Sequence, residues 1–346
     1  MFNKKIARTT IILLGCFTIG FFLSFNQKND IGIPKNSKIN GVSFVATNHK
    51  IESKHLTPVN KLNANWITVM PFGFLSKDSP KVKYNSSYQW SGETLEGIKQ
   101  TIKLAHSQNI KVMLKPHIWM RHLWVGDLKF DNEKDWLIFE ASYQDYILEF
   151  AKIAESLDVG IFAIGVEAKK SVIERPQFWS DLIDTVRTVF SGKLTYAANW
   201  DNYTNVTFWN KLDYIGIDAY FPIASEKTPT YESCYAGWLN HYNAIKRLSY
   251  ATEKKVIFTE FGYRNIDFTA LEPWNEAGND TYNSLAQENA YRAIFTRFWG
   301  EPWFMGGFLW KWFPNHDNSG GLKNNRFTPQ NKPVEQLIRQ VYNLKY

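Results

Sequence analysis

Two glutamates stand at the ends of buried apolar segments, where a carboxylate is unusual. The segment "GIFAIGVE" (160–167) ends on Glu167, and "KVIFTEFG" (255–262) carries Glu260 near its end. An ionised carboxylate in such a place is costly unless it has a partner or a chemical role. Two facing carboxyl groups suit glycoside hydrolysis, in which one protonates the leaving oxygen and the other attacks the anomeric carbon or activates water. We therefore predict that both glutamates are catalytic; the alternative is that they only pair with Lys115 or Arg264 and stabilise the rim.

The segments that carry these glutamates belong to a regular series. Short apolar runs alternate with longer stretches whose apolar residues recur at three and four positions, which is typical of βα units and a parallel sheet. Eight such runs predict an α/β fold consisting of a single (β/α)8 TIM barrel. An open doubly wound sheet would need a glycine-rich turn after the first strand, and "SFVATNHK" has none. The eight predicted strands are 40–46, 65–72, 110–117, 160–167, 194–200, 213–220, 255–262 and 305–312.

A barrel brings the two glutamates together. Glu167 is the last residue of its predicted strand and Glu260 nearly the last of its own, so both carboxylates are expected at the carboxyl ends of the strands, where barrel enzymes have their active sites. Alternation along the strand places Glu167 on the same face as the small residues Ala163 and Gly165, which suit a crowded barrel interior. Long insertions at the same end, after the third, sixth and seventh strands, are predicted to form the walls of a cleft: residues 118–138, 221–237 and 263–284.

Other strands of the barrel also end on polar and aromatic side chains. The fifth strand ends with Asn199 and Trp200, and the sixth with Asp218 and Tyr220. Hydrogen-bonding groups beside flat aromatic rings are suited to binding sugars. Tyr220 lies one strand away from Glu260, so its hydroxyl is expected to donate to that carboxylate. The residues predicted to bind substrate are Lys115, His117, Trp119, Asn199, Tyr220, Trp310 and Trp312.

Composition and charge restrict the partners. The chain has 346 residues, of which 44% are hydrophobic, with 14 Trp and 17 Tyr, enough for a large core and for exposed aromatic platforms. The formal charge is +7, but six basic residues and one aspartate in the first 38 positions account for most of it. The remainder is nearly neutral and has no basic stripe for nucleic acid. A neutral oligo- or polysaccharide is the expected partner, and no nucleic acid is expected.

The first 25 residues predict export. Lys4, Lys5 and Arg8 precede "TTIILLGCFTIGFFLSF", which is typical of a signal peptide or an uncleaved signal anchor. "LLGC" also resembles a lipobox that would place a lipid on Cys16. All three interpretations put the protein outside the cytoplasm, attached to a membrane through this segment or secreted. Residues 26–39 are expected to form a tether and residues 40–346 the barrel domain, in which Cys234 has no partner for a disulfide.

The motifs resemble those of one glycosidase family. "GVSFVA", "LKPHIW", "IGVE", "GIDAYFP" and "TEFGYRN" are similar to the family 113 β-mannanases, retaining (β/α)8 enzymes of the large clan that includes cellulases and β-galactosidases. The resemblance, over about residues 40 to 340, implies that Glu167 is the acid/base, Glu260 the nucleophile, Tyr220 its hydrogen-bond partner and Trp310 the platform under the sugar at the cleavage point. It implies β-1,4-linked mannan or mannooligosaccharides as substrate.

One position departs from the clan. Most members have Asn before the acid/base, where it binds the substrate 2-hydroxyl, and here that place is Val166. The contact to this hydroxyl is therefore unassigned.

Two other functions remain open from the sequence. The first is a hydrolase of the same clan acting on β-glucan or xylan. The second is a non-catalytic surface barrel that binds glycans. A metal-dependent or Schiff-base barrel fits less well, because the first strand has no His-x-His and the sixth has no lysine. No metal or other cofactor is expected.

Overall fold

The computed structural model describes residues 38–76, 79–275 and 281–344. The predicted signal segment and the predicted tether up to residue 37 lie outside these ranges, so the described structure does not test either prediction. Within them, no helix is both long enough and apolar enough to cross a bilayer.

Strands and helices alternate along the chain. The strands are β1 (Ile39–Phe44), β2 (Trp66–Val69), β3 (Phe72–Ser76), β4 (Ser79–Lys83), β5 (Lys111–Leu114), β6 (His117–Met120), β7 (Ile161–Val166), β8 (Lys193–Asn199), β9 (Tyr214–Asp218), β10 (Lys255–Phe261) and β11 (Phe304–Trp312). The α-helices are α1 (Ser53–Lys61), α2 (Leu95–Ser107), α3 (Glu133–Ser156), α4 (Lys169–Glu174), α5 (Pro176–Arg187), α6 (Tyr231–Thr252), α7 (Ser284–Phe298) and α8 (Pro333–Tyr342).

Eight of the strands form a closed parallel barrel. Their order around it is β1-β11-β10-β9-β8-β7-β5-β2, and β1 closes the ring by pairing with both β2 and β11. Each of the eight predicted strands corresponds to one of these, so the predicted TIM barrel is confirmed. The first strand begins one residue earlier than predicted, at Ile39, and Lys38 donates to the carbonyl of Glu301 at 2.6 Å.

The amino-terminal end of the barrel is sealed by apolar side chains. Ile39, Met113, Ile161, Ile257 and Phe308 form one buried cluster, and Ile39, Ile161 and Ile257 lie in the first half of their strands. Because this end is filled with apolar atoms, polar side chains on the same strands are accommodated at the carboxyl ends.

The helices α2, α3 and α6 begin at side-chain caps. Thr94 accepts from the backbone N–H of Gly97 at the start of α2, and Asn132 and Thr230 do the same for α3 and α6. Such caps satisfy backbone donors that the first turn leaves without partners. The long helix α3 buries an aromatic face, including Tyr143, against the barrel.

A second, three-stranded sheet was not predicted. Its order is β4-β3-β6, with β3 antiparallel to β4 and parallel to β6. It is attached to α3: the hydroxyl of Tyr146 donates to the carbonyls of Pro71 and His117, each at 3.0 Å, and Ser142 accepts from the N–H of Val82 at 3.0 Å. This small sheet raises one wall of the cleft above β2 and β5.

Candidate active site

Glu260 is held on both oxygens by buried donors. It lies in β10, 6% exposed. Its Oε1 accepts from Lys115 Nζ at 2.5 Å, and its Oε2 accepts from the hydroxyl of Tyr220 at 2.7 Å. The hydrogen bond expected from Tyr220 is therefore present. An ammonium and a hydroxyl that both donate to a carboxylate stabilise its anionic form.

Lys115 is fixed by a second carboxylate. It follows β5, is fully buried, and its Nζ lies 3.6 Å from Asp218 Oδ1. Asp218 pairs with Glu260 in the register of β9 and β10 and also accepts from Thr259 at 2.7 Å. Burial raises the pKa of Asp218 well above its usual range, and the charge of Glu260 adds to this. Burial by itself would lower the pKa of Lys115, but the charges of Asp218 and Glu260 outweigh it and raise the pKa. Lys115 therefore stays a cation beside Glu260.

Glu167 reaches the cavity by a break in its strand. It follows the last residue of β7 and has φ of 48°, a left-handed conformation uncommon for residues other than glycine. The register with β8 shifts between Ala163 and Val166. A Cβ on Gly165 would lie 2.6 Å from the ring of Trp179, towards the helices. The alternation argument that put Gly165 inside with Glu167 is therefore wrong, because the strand is irregular there.

The surroundings of Glu167 bring the pKa of its carboxyl into the neutral range. Burial raises the pKa of its carboxyl to about 7, and the charge of Glu260 raises it in the same direction. Two groups oppose the shift: Trp124, whose indole N–H donates to Glu167 Oε2 at 2.8 Å, and the cation of Lys115. A carboxyl whose pKa lies near the working pH can both give and take a proton.

Both glutamates face one cavity of about 520 Å³ at the carboxyl ends of the strands, here called the central cavity. Aromatic side chains form much of its lining: Trp124, Trp200, Tyr220, Trp274, Trp310 and Phe327. The rings of Trp200 and Trp274 stack on each other at 4.8 Å. A smaller space of about 260 Å³ adjoins it, also bordered by Glu167, Glu260 and Trp310, with His117 and Trp119 on its wall.

His117 presents a buried ring nitrogen to this space. Its Nε2 lies 4.0 Å from Glu260 Oε1 and has no hydrogen-bond partner within the described ranges. Burial lowers the pKa of His117 well below its usual range, and the cation of Lys115 lowers it further. The imidazole is therefore neutral and forms no ion pair with Glu260. Its ring stacks on Trp310 with centroids 6.4 Å apart.

The other predicted binding residues divide into those that border the cleft and those that are enclosed by protein. Trp119 is 48% exposed; Asn199 lines the central cavity and donates to Asp201 at 3.0 Å. Trp312, in contrast, has no exposed surface and packs beside His316. The prediction that it contacts a substrate is wrong for this structure, because no face of its ring reaches the cleft. Lys115 is likewise enclosed, and it contacts carboxylates instead of the open cavity.

Sequence reasoning missed several residues of the central cavity. Trp124 and Trp274 come from the insertions after β5 and β10, and Phe327 from the segment after β11. The insertions were predicted to form walls, but no pattern within them identified these rings. Asp201 follows the predicted strand end at Trp200 directly, and this adjacency was the available signal.

No group of three or more metal-binding side chains occurs among residues 38–76, 79–275 and 281–344. The arrangement consists of two carboxyl groups with different environments and a surround of aromatic rings.

A parallel barrel with two glutamates facing an aromatic cavity at its carboxyl ends defines the glycoside hydrolase class of site. Residues 46–332 match the sequence model of Glycoside Hydrolase Family 113. The chain belongs to this family and is a glycoside hydrolase. A search of curated proteins gives no significant match.

Solved structures share the fold at low sequence identity. A family 113 β-mannanase from Alicyclobacillus acidocaldarius, in complex with ManMIm, is 22% identical with a TM-score of 0.77, over 88% of this chain and 97% of that one. A family 113 β-1,4-mannanase is 23% identical with a TM-score of 0.75, over 88% and 99%. A β-glucuronidase from Ruminococcus gnavus is 11% identical with a TM-score of 0.59, over 84% of this chain and 46% of that one.

Proposed function

We propose that this glycoside hydrolase cleaves β-1,4-linked mannan or mannooligosaccharides with retention of configuration, through a covalent intermediate on Glu260. The observation that carries the mechanism is the contrast between two glutamates in one cavity. Lys115 and Tyr220 donate hydrogen bonds to the two oxygens of Glu260, whereas burial raises the pKa of Glu167 to about 7. The substrate is inferred from the family and from similar structures described as β-1,4-mannanases.

In the first step a carboxylate oxygen of Glu260 forms a bond to the anomeric carbon as the glycosidic C–O bond breaks. The electron pair of that bond stays on the leaving oxygen, which takes the proton of Glu167. The products are a glycosyl ester on Glu260, a leaving sugar with a free hydroxyl, and an ionised Glu167.

In the second step the Glu167 carboxylate takes a proton from water as the water oxygen bonds to the anomeric carbon. The ester bond breaks and its electron pair returns to Glu260. Glu167 is protonated again, and the anomeric carbon, inverted twice, has its original configuration.

The surroundings of Glu260 favour a nucleophile over a general base. Both of its oxygens already accept hydrogen bonds from buried donors, which hold the carboxylate in one orientation. An inverting enzyme would need this carboxylate to take a proton from water. A nucleophile needs only a lone pair aimed at the anomeric carbon, and the fixed orientation supplies it.

His117 is proposed to contact the substrate 2-hydroxyl, to which the side chain of Val166 cannot form a hydrogen bond. This hydroxyl neighbours the anomeric carbon and so lies close to the nucleophile. His117 Nε2 lies 4.0 Å from Glu260 Oε1, and a neutral imidazole nitrogen can donate or accept there. Because mannose and glucose differ in the orientation of this hydroxyl, the residue is placed to influence which sugar is accepted.

The mechanism is tested with variants and azide. Glu260→Ala is expected to lose at least about 10⁴-fold in kcat/KM, and azide should restore turnover and give an α-mannosyl azide. Glu167→Ala with azide should give the β-mannosyl azide, because the ester on Glu260 still forms. NMR should show the β-anomer as the first product of the wild type. An α-anomer as the first product rejects the retaining mechanism.

The substrate is tested by reducing-sugar release from a panel of β-1,4-mannan, β-glucan and xylan. Fastest release from mannan is expected; fastest release from glucan or xylan would reject the mannanase assignment. Binding of mannan without product would favour a glycan-binding barrel.

The proposed place of action is outside the cytoplasm, on the basis of the apolar segment after Lys4, Lys5 and Arg8. Detection of the native protein in the cytoplasmic fraction, after cell fractionation, would reject this part.

A further inference from the structure

The smaller space beside the two glutamates, of about 260 Å³, has walls of its own. They are formed by the strand β6, by residues 123–125 of the insertion after it, and by Val166. Glu167, Glu260 and Trp310 border both this space and the central cavity. The smaller space is here called the side pocket.

The strand order places the side pocket across the barrel from Glu260. In the ring, β10 is four positions from β5 and therefore opposite it, and β6 follows β5 along the chain. The central cavity, in contrast, takes most of its lining from β8, β9, β10, β11 and the segments that follow them. The reacting carbon of a bound sugar, held between the two glutamates, therefore lies where the two spaces meet.

Val166 connects the side pocket with C2 of that sugar. Of the two ring atoms bonded to the anomeric carbon, only C2 carries a substituent, because the other is the ring oxygen. Val166 occupies the place at which most clan members have an Asn that binds the substrate 2-hydroxyl, and it borders the side pocket but not the central cavity. His117, the proposed partner of the same hydroxyl, also borders the side pocket. A group on C2 therefore points into the side pocket.

The lining of the side pocket is mainly apolar. Beyond His117 and the two glutamates, its side chains are those of Ile118, Trp119, Met120, Leu123, Trp124, Val125, Val166 and Trp310. Trp119 is 48% exposed and Leu123 49% exposed, so part of this apolar surface is in contact with water. A free hydroxyl gains nothing from such a wall, whereas a methyl group is removed from water by it.

The size of the side pocket suits a small acyl group. An acetyl group has three heavy atoms, which need about 90 Å³ if each takes the share of a water molecule in the liquid, about 30 Å³. The side pocket offers about 260 Å³. Its polar side chains, His117, Glu167 and Glu260, serve the reacting sugar, so a branch with many hydroxyl groups would find few partners there.

The insertion that forms the outer wall is attached to the acid. The indole N–H of Trp124 donates to Glu167 Oε2 at 2.8 Å, and Asp127 pairs with Lys170 of α4 at 2.9 Å. The ring of Trp124 lies on the backbone of Gly126, where an added Cβ would clash with it. The side pocket is therefore formed before a ligand arrives, which lowers the cost of ordering its wall on binding.

We propose that the side pocket binds an acetyl group carried on C2 of the sugar that is transferred to Glu260, and that the enzyme accepts acetylated mannan at the unit it cleaves. This rests on the proposed mannanase function and goes beyond it, because it names the decorated form of the polysaccharide. The linking atom is an ester oxygen in an O-acetylated mannan and an amide nitrogen in a 2-acetamido sugar. The acetyl group is the same in both, and the reaction leaves it in place.

The position of acetyl groups in the products tests the proposal. In water enriched with ¹⁸O, the sugar released from Glu260 acquires the label at C1 and becomes the reducing end of its product. After short digests of acetylated mannan at mildly acidic pH, tandem mass spectrometry and NMR should locate acetyl groups on C2 of labelled units. Products whose labelled units all lack acetyl at C2 would overturn the proposal.

Variants of the wall test which residues recognise the acetyl group. One mannan is used before and after removal of its acetyl groups by mild alkali. In Leu123→Ser the ratio of kcat/KM for the acetylated polymer to that for the deacetylated one is expected to fall about fivefold. Val166→Asn should lower the same ratio, because its amide favours a free hydroxyl.

Leu239→Ser is the matched control for Leu123→Ser. Leu239 lies on α6, is also 49% exposed and does not border the side pocket, so its ratio should equal that of the wild type. Thermal unfolding confirms that each variant is folded. If the ratio is unchanged in both Leu123→Ser and Val166→Asn, the proposal is wrong, even if both rates fall together.

Small substrates separate the two linking atoms. The nitrophenyl β-mannoside is compared with its 2-O-acetyl and 2-acetamido-2-deoxy forms. The form whose kcat/KM falls in Leu123→Ser, relative to the unsubstituted glycoside, identifies the linking atom. If the wild type cleaves the unsubstituted glycoside and neither acetylated form, the side pocket is rejected as an acetyl site and the mannanase assignment stands.

Binding tests the side pocket without turnover. Methyl β-mannoside and methyl 2-acetamido-2-deoxy-β-mannoside are titrated calorimetrically into Glu260→Gln, with and without Leu123→Ser. The acetamido sugar is expected to bind more tightly, and Leu123→Ser to remove most of that difference. Equal affinity of Glu260→Gln for the two sugars overturns the proposal. Failure of the wild type to cleave deacetylated mannan instead rejects the mannanase assignment.

Discussion

Glu260 and Glu167 face the same cavity, yet different parts of the molecule determine their surroundings. Glu260 lies within a barrel strand, and its partners Lys115 and Tyr220 follow two other barrel strands. Glu167 lies just after a strand, in a left-handed conformation, and accepts from Trp124, which belongs to an insertion. The barrel therefore supplies both hydrogen-bond donors to Glu260, whereas a loop residue helps to set the pKa of Glu167. Two identical side chains acquire different chemistry from what surrounds them.

Among the substitutions that test this contrast, Glu167→Gln has the largest expected effect on activity. Loss of the acid should lower kcat/KM on mannooligosaccharides by about 10² to 10⁴-fold and have a much smaller effect with a dinitrophenyl glycoside, whose leaving group needs no proton. In the wild type, activity should fall as the pH rises through about 7, because Glu167, with its pKa of about 7, then loses the proton it must donate. That decline should be absent in the variant.

Glu96→Gln, an exposed change on α2, serves as the control for Glu167→Gln. If the decline in activity near pH 7 persists in Glu167→Gln, another group causes that decline. The proposed difference in chemistry between Glu167 and Glu260 would then be wrong.

Tyr220→Phe tests the Glu260 side. Removing the hydroxyl that donates to Glu260 Oε2 at 2.7 Å should lower kcat by roughly 10 to 100-fold, the value of a hydrogen bond to a charged group. The thermal transition should show an intact fold. Tyr214→Phe, at the other end of β9, should keep wild-type turnover. Unchanged turnover in Tyr220→Phe would show that the hydroxyl does not support the nucleophile.

Trp124→Phe tests the Glu167 side and has the smallest expected effect. Its N–H stabilises the anionic form of Glu167, so its loss should raise the pKa of that carboxyl by about one unit. The alkaline decline of kcat/KM should then move to higher pH. Trp119 has no hydrogen bond to Glu167 in the described structure. Trp119→Phe should therefore leave the decline of kcat/KM at the same pH. A shift to lower pH would reverse the assigned role of the indole.

The strands and both glutamates were predictable from the sequence, because apolar runs of regular spacing report the barrel directly. The orientation of Glu167 was not, since alternation assumes a regular strand and β7 shifts register before its end. Trp312 shows the same limit: it is two residues from Trp310 on one strand, but only Trp310 reaches the cleft. Whether a side chain at a strand end is buried depends on which later segments of the chain pack over it. The local sequence pattern carries no information about that packing.

Trp124 and the small sheet were also beyond prediction. The strands β3 and β6 are far apart in sequence, and each is only a few residues long. Pairing of this kind depends on the barrel having already brought β2 and β5 side by side. The wall is thus a consequence of the fold and is not encoded by any one segment.

The attachment of the small sheet to α3 through Tyr146 and Ser142 has a mechanical consequence. The strand β6 of this sheet begins at His117, whose Nε2 lies 4.0 Å from Glu260 Oε1. A change in the packing of α3 can therefore shift a wall of the cleft and a neighbour of Glu260 while the eight barrel strands keep their pairing.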